Sequence, residues 1–334
     1  MSEKKKFTLF CLVAVLLAYF VIVLGAYTRL TDSGLGCPDW PGCYGELFMP
    51  GDESFEAQAN NAYPERPLEH AKAWTEMAHR YAAGTLGLLI LALAVYCVRG
   101  RKQEPGVPVL LPVLLLGLVI FQAALGMWTV TLMLKPIVVM GHLLGGMSIL
   151  ALLWWLLVNA RFPAVPGHWS RLSWFVVCGL CVLAGQIALG GWTSANYSAL
   201  ACVDFPRCQG AWWPEMDFSQ GFVLWRGTGI DYEGGVLDMA ARTAVHVSHR
   251  IGAALTFVVI CAVALCAMLA GHRSLFRLGL LVLALLLAQV SLGIANVVLV
   301  LPLPVAVAHN GVAALLLLAL ITLLHFSRMA QERA

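Results

Sequence analysis

The 334 residues are 60% hydrophobic and only 12% charged, with a mean hydropathy of +0.81, whereas a soluble domain carries roughly 25% charged residues. Such a chain is a membrane protein, not an ordinary cytosolic enzyme. Its formal net charge of +3 builds no basic face, which excludes a nucleic-acid binder, and 10 Cys in so long and apolar a chain exclude both disorder and a small disulfide scaffold.

Apolar runs of roughly 20 residues cross about 30 Å of hydrocarbon as helices, and eight are predicted: 7–28, 71–98, 107–132, 136–158, 172–194, 241–270, 276–300 and 304–325. Lys4, Lys5 and Lys6 precede the first, but no small-residue cleavage pattern closes it at residues 25–29, so it reads as a retained helix and not a signal peptide. With eight spans, both termini and the even-numbered loops share one side. That side holds Lys4, Lys5, Lys6, Arg99, Arg101, Lys102, Arg161, Arg171, Arg273, Arg277, Arg328 and Arg333, 12 of the 21 basic residues, against Glu3, Glu104 and Glu332 among 18 acids. It is the expected cytoplasmic side. The long loops 29–70 and 195–240 then face the other compartment. Trp154, Trp155, Trp169 and Trp174 are expected at the inner interface, and Trp212, Trp213 and Trp225 at the outer one.

The two halves repeat at chemically unusual positions. Residues 25–43 read GAYTRLTDSGLGCPDWPGC and 190–208 read GGWTSANYSALACVDFPRC, placing Cys37, Asp39, Pro41 and Cys43 on Cys202, Asp204, Pro206 and Cys208 at a constant offset of 165. His79-Arg80 matches His249-Arg250, Gln122 and Gly126 match Gln289 and Gly293, and His142 matches His309. The expected fold is an all-α integral membrane protein, its eight transmembrane helices forming two tandem pseudo-symmetric four-helix bundles, 1–160 and 161–334, related by an axis near the membrane normal.

Ionisable residues inside a span need a job or a partner. His79, His142, His249 and His309 fall at similar depths, roughly 9 to 13 Å from the outer helix ends, two in each bundle. Paired imidazoles facing across a bundle core suit the two axial positions of a haem iron, and Gly141, Gly145, Gly146 and Gly311 would admit a flat macrocycle to the backbone. Each alone could be a histidine bonded to a carbonyl; four in matched pairs favour haem or metal ligation, with zinc disfavoured because the pairs are split between bundles. Arg80 and Arg250 are candidate propionate partners or snorkelling helix-end cations.

Three residues before the repeated histidine, the first half has Glu76 and the second His246. Positions i and i+3 share a helix face, so Glu76 would point at whatever His79 holds, to accept protons or stabilise a developing cation; the alternative is a pair with Arg80 or Lys72. With no carboxylate at the second position, chemistry is assigned to the amino-terminal bundle and electron transfer to the carboxyl-terminal one. Cys37/Cys43 and Cys202/Cys208 are expected to pair within each loop on the outer side, where disulfides persist, either as structural staples or with the first pair exchanging with a periplasmic thiol protein.

The combination of E-x2-H-R in the second helix, G-H in the fourth, H-R in the sixth, A-H-N in the eighth and a Cys pair in the first outer loop resembles haem A synthase over nearly the whole chain. The resemblance implies an inner-membrane enzyme of bacteria that oxidises the C8 methyl of haem O to a formyl group by successive hydroxylations, giving haem A for cytochrome oxidase. It implies that His79 and His142 hold the substrate haem, that Glu76 serves catalysis, and that His249 and His309 ligate a haem b cofactor through its iron. It also implies that Cys37 and Cys43 are a redox-linked pair, with haem O synthase (protohaem farnesyltransferase) handing over the substrate laterally through membrane lipid. Cys202 and Cys208 depart from the family pattern. Two other functions fit parts of the pattern: a two-haem cytochrome b electron carrier, in which Glu76 has no use, and a membrane thiol-disulfide oxidoreductase acting through the loop cysteines.

Overall fold

In hydrocarbon every backbone N–H and C=O must be satisfied within its own segment, so each long apolar run folds as one uninterrupted helix. The computed structural model describes residues 3–49, 53–101, 108–162 and 169–329; Lys102, Glu104, Glu332 and Arg333, and the expected helix start at 107, lie outside them. The described helices are α1 (Glu3–Leu30), α2 (Glu53–Ala62), α3 (His70–Gly100), α4 (Leu110–Thr131), α5 (Pro136–Arg161), α6 (Arg171–Ala195), α7 (Phe218–Gly221), α8 (Met239–Leu269), α9 (Arg273–Val298) and α10 (Leu303–Met329). All but α2 and α7 are long and apolar enough to cross a membrane, matching the eight expected spans to within a few residues. The chain is a multi-pass, all-helical membrane protein.

Local chemistry sets the helix starts. Pro136 opens α5, where its missing N–H costs nothing. Ser170 caps α6 by accepting from Ser173 N–H at 2.9 Å, and Asp238 caps α8 by accepting from Ala241 N–H at 2.8 Å. Helix α2, inside the first outer loop, was not expected; Phe55 and Ala59 on it pack with Tyr44, Leu68 and Met77 around Cys37 and Cys43.

Helices α1, α3, α4 and α5 pack in a closed ring in that order, and α6, α8, α9 and α10 pack in another. Helix α10 also touches α1 and α5, and half of its apolar window is buried against at most 28% in any other span. The remaining helices turn residues such as Leu16, Leu88, Ile120, Val258 and Leu287 outward, as lipid-facing spans must. Trp154 Nε1 donates to Thr322 Oγ1 at 2.8 Å and Trp155 meets His325 edge-on, tying α5 to α10.

The repeat extends to backbone that sequence identity does not reveal. Among the described residues, all eight non-glycine positions with positive φ fall into four matched pairs: Asp32 with Tyr197, Tyr44 with Gln209, Met133 with Val300, and Leu134 with Leu301. Each such residue costs on the order of 1–3 kcal/mol. Unrelated loops would not spend it at the same four places.

The outer loops clasp one another. Arg66 binds Asp231 and Glu233 at 2.7 and 3.0 Å, Arg29 donates to Ser194 O at 2.6 Å, and buried Lys135 donates to Gly227 O with its ammonium 3.3 Å from the centre of the Trp225 ring.

Candidate functional site

The four histidines lie nine, six, ten and six residues from the starts of α3, α5, α8 and α10, which keeps them near one level of the membrane. Each ring lies against a glycine of the neighbouring helix. A Cβ at Gly25 would come 2.8 Å from His79 Cε1, one at Gly126 3.3 Å from His142 Cε1, one at Gly190 3.2 Å from His249 Cε1, and one at Gly293 3.2 Å from His309 Cε1. These four glycines are themselves repeat partners. Of the glycines flanking the histidines, Gly145 makes room for Gln122 and Gly311 for the Tyr19 hydroxyl, while a Cβ at Gly141 would meet only Leu125, at 3.9 Å. They let helices approach.

His79 and His142 face each other with ring centres 6.5 Å apart and planes at 74°. A metal taking one imidazole nitrogen from each side at about 2 Å holds the ring centres about 6 Å apart, so the first pair already has bis-imidazole spacing. The donor chemistry agrees. Of the ten buried side-chain nitrogens and oxygens without a hydrogen-bond partner among the described residues, six belong to this layer: Nδ1 of His79, His142 and His309, and Oε1 of Gln122, Gln186 and Gln289. Orphaned buried polar atoms are rare and costly, and their concentration here fits a bound polar or metallic group. No cluster of three or more His, Cys, Asp or Glu stands together among the described residues.

The pairs are held differently. Gln186 Nε2 lies 3.1 Å from both His249 Nδ1 and its carbonyl, and Gln289 Nε2 lies 3.2 Å from His309 Nε2. In the first half Gln122 reaches only the His142 carbonyl, at 2.6 Å, and the residue matching Gln186 at offset 165 is Val21. The sequence reading missed Gln186 for that reason, and it saw Gln122, Gln289 and the glycines as repeat markers without a task.

Glu76 is the only buried acid among the described residues. Its Oε1 accepts from Arg80 Nη2 at 2.5 Å and its Oε2 from Cys37 N–H at 2.8 Å. Arg80 Nη1 donates onward to the carbonyls of Asp39, Pro41 and Gly42. The Arg80 pairing considered as an alternative is present, while Lys72 bonds Glu69 instead. The second half repeats the arrangement: Cys202 N–H reaches His246 Nδ1 at 3.2 Å, Arg250 Nε lies 3.2 Å from His246 Nε2, and Arg250 donates to the carbonyls of Cys202, Asp204 and Arg207. Both arginines donate to loop carbonyls, a role that was not among those expected of them.

Cys37–Cys43 and Cys202–Cys208 are disulfides. Asp39 accepts from Tyr44 and Gly45 N–H, and Asp204 from Gln209 and Gly210 N–H; the Gly210 amide, with Gln209 beside it, holds Asp204 below the ordinary carboxylate value. Cys37 and Cys43 have no exposed surface, so a thiol protein has no line of attack on the first disulfide while the loop is in place.

The glycine supports make a test. Gly25→Ala would favour the helix by roughly 0.5–1 kcal/mol on propensity alone, yet it must push His79 aside. The expected result is several-fold weaker binding of added haem than in the wild-type protein; unchanged binding would show that the contact is mere packing.

A family model described as "Cytochrome oxidase assembly protein" (COX15-CtaA) matches residues 8–321. The chain is similar to a protein named Heme A synthase in Shewanella oneidensis, 47% identical over 309 residues that cover 92% of each chain. It is also similar to proteins of that name in Mesorhizobium japonicum, 30% identical with 92% of this chain and 86% of the relative covered, and in Chelativorans sp., 28% identical with 92% and 87% covered.

Proposed function

The chain belongs to the cytochrome oxidase assembly protein family COX15-CtaA, and from that premise we propose the division of labour by which it makes haem A. It is an oxidoreductase of haem A synthesis with haem O as substrate and a haem-type cofactor. The finer reading gives residues 1–160 the chemistry and 161–334 the electron transfer. His79 and His142 take the iron of haem O, and His249 and His309 hold a haem b. What supports this order is an asymmetry of contacts: a glutamine side-chain amide lies against a ring nitrogen of both His249 and His309, whereas in the first pair Gln122 reaches only the His142 carbonyl. When bound, haem b supplies one-electron redox chemistry.

Converting a methyl to a formyl group removes four electrons, in two hydroxylations followed by loss of water from the hydrate. Glu76 would be the chain's own acid–base or electrostatic contribution to that oxidation. It is tethered at both oxygens, by Arg80 and by Cys37 N–H, and each carboxylate oxygen keeps a second lone pair for a proton or a developing cation. The observation that carries the reading is that two matched histidine pairs are present and only one is accompanied by a carboxylate. The basic side is placed in the cytoplasm of a bacterial inner membrane, with the disulfide loops periplasmic. A farnesylated substrate would enter laterally from lipid, received from haem O synthase; periplasmic thiol proteins would meet the first loop only after it opens.

Mass spectrometry of the haems extracted from purified protein tests the assignment. Haem b is expected in every preparation, with haem O or haem A beside it when the host makes haem O. A colourless protein would overturn it. Haem b alone at both sites, with supplied haem O never converted, would favour the electron carrier.

A further inference from the structure

Arg80 makes more bonds to loop carbonyls than to the helix that carries it. From Cys37 to Gly42 the first outer loop lies directly on the start of α3: Gly36 is so close that a Cβ there would come 2.6 Å from the Lys72 carbonyl carbon, and Cys37 Sγ faces Ala73 O at 3.9 Å. Arg80 then closes the loop from its far side through Asp39, Pro41 and Gly42, while Glu76 holds the Cys37 amide from below. The guanidinium, the carboxylate and the disulfide form one unit, all of it buried or nearly so, with Arg80 12% and Glu76 6% exposed in their side chains.

We propose that Arg80 is a positioning residue for the oxidation: it latches the Cys37–Cys43 loop shut and fixes the Glu76 carboxylate on α3, three residues before His79. The proposal rests on the assignment of Glu76 to the chemistry. The second half separates the two tasks. Arg250 closes the Cys202–Cys208 loop in the same way with an imidazole in the carboxylate's place, so the latch does not need an acid. It is weaker there, because a neutral imidazole has one acceptor and can satisfy only one of the two donors that meet it. A carboxylate satisfies both at once. The acid at position 76 therefore does something the latch alone does not demand, and Arg80 determines where that acid stands.

The experiment follows each disulfide separately. Intact protein in detergent is treated with dithiothreitol, which passes two electrons and two protons to a disulfide to give two thiols, and with a maleimide; labelled cysteines are then located by peptide mass spectrometry. In Arg80→Ala, labelling of Cys37 and Cys43 should accelerate at least tenfold, while Cys202 and Cys208 keep the wild-type rate. Haem O conversion should fall at least tenfold with the spectrum of the His249/His309 haem unchanged. Arg80→Lys should recover part of both. Glu76→His should lose conversion yet protect its loop about as well as the wild-type protein protects Cys202 and Cys208. Wild-type protection in Arg80→Ala would overturn the latch, as would Glu76→His exposing the first disulfide as fully as Arg80→Ala does. Should Arg80→Ala fail to fold, Arg80→Lys and Arg250→Ala carry the same test, the latter exposing only the second pair. Labelling needs no haem, so a failed latch is distinguishable from a failed assignment of the chemistry.

Discussion

Glu76→Ala is expected to keep both histidine pairs loaded with haem while haem A formation falls at least about 100-fold, the lower range for removing a positioned acid–base or electrostatic group. The substitution breaks a buried ion pair, which ordinarily costs about 3–5 kcal/mol because the surviving charge is stranded. Here the cost should lie at the low end of that range: Arg80 keeps three loop carbonyls, so its charge stays hydrogen-bonded. A folded, haem-bearing, inactive protein is therefore the outcome to look for, by visible spectrum and by chromatography of extracted haems. Unimpaired conversion would remove the chemistry from the amino-terminal half and, with it, the reason for treating the two halves differently.

The second large effect is expected at the other pair. His249→Ala or His309→Ala should abolish the b-type spectrum, since under the proposed assignment each would supply one of the two imidazoles that hold the cofactor, and the glutamine beside the ring would lose its partner. His79→Ala should spare that spectrum while stopping conversion. The measurement is a reduced-minus-oxidised spectrum of each purified variant, scored for haem per protein. Loss of the b-type signal in His79→Ala would mean that ligands are shared across the halves and not paired within them.

The eight spans were legible because hydrocarbon imposes a length and a composition that no tertiary contact overrides. The histidines were legible because charge inside a span is conspicuous, and their pairing because the chain repeats. What escaped was contact between helices. Gly25, Gly126, Gly190 and Gly293 matter for what a neighbouring helix places against them, and nothing in a glycine announces that. Arg80 and Arg250 stand next to ligands in sequence, which suggested a role toward the ligand's haem; a helix turns about 100° per residue, and their side chains go to the loops instead. His246 was unreadable alone and became intelligible only when Cys202 N–H and Arg250 were seen around it. Helix α2 escaped because it is ten residues long and polar, so it contains no apolar run of membrane-spanning length, and it depends on the disulfide loop for its packing.

Helix α10 gives the duplicated architecture a consequence that the repeat by itself would not suggest. It completes the second ring, yet it also wedges against α1 and α5, with Gly311 seated on the Tyr19 hydroxyl only two positions from His309. Tyr19 is itself less than two helical turns from Gly25, the support of His79. The two rings of helices thus share a common wall, and separating them would bare the apolar flank of α10 that α1 and α5 now cover.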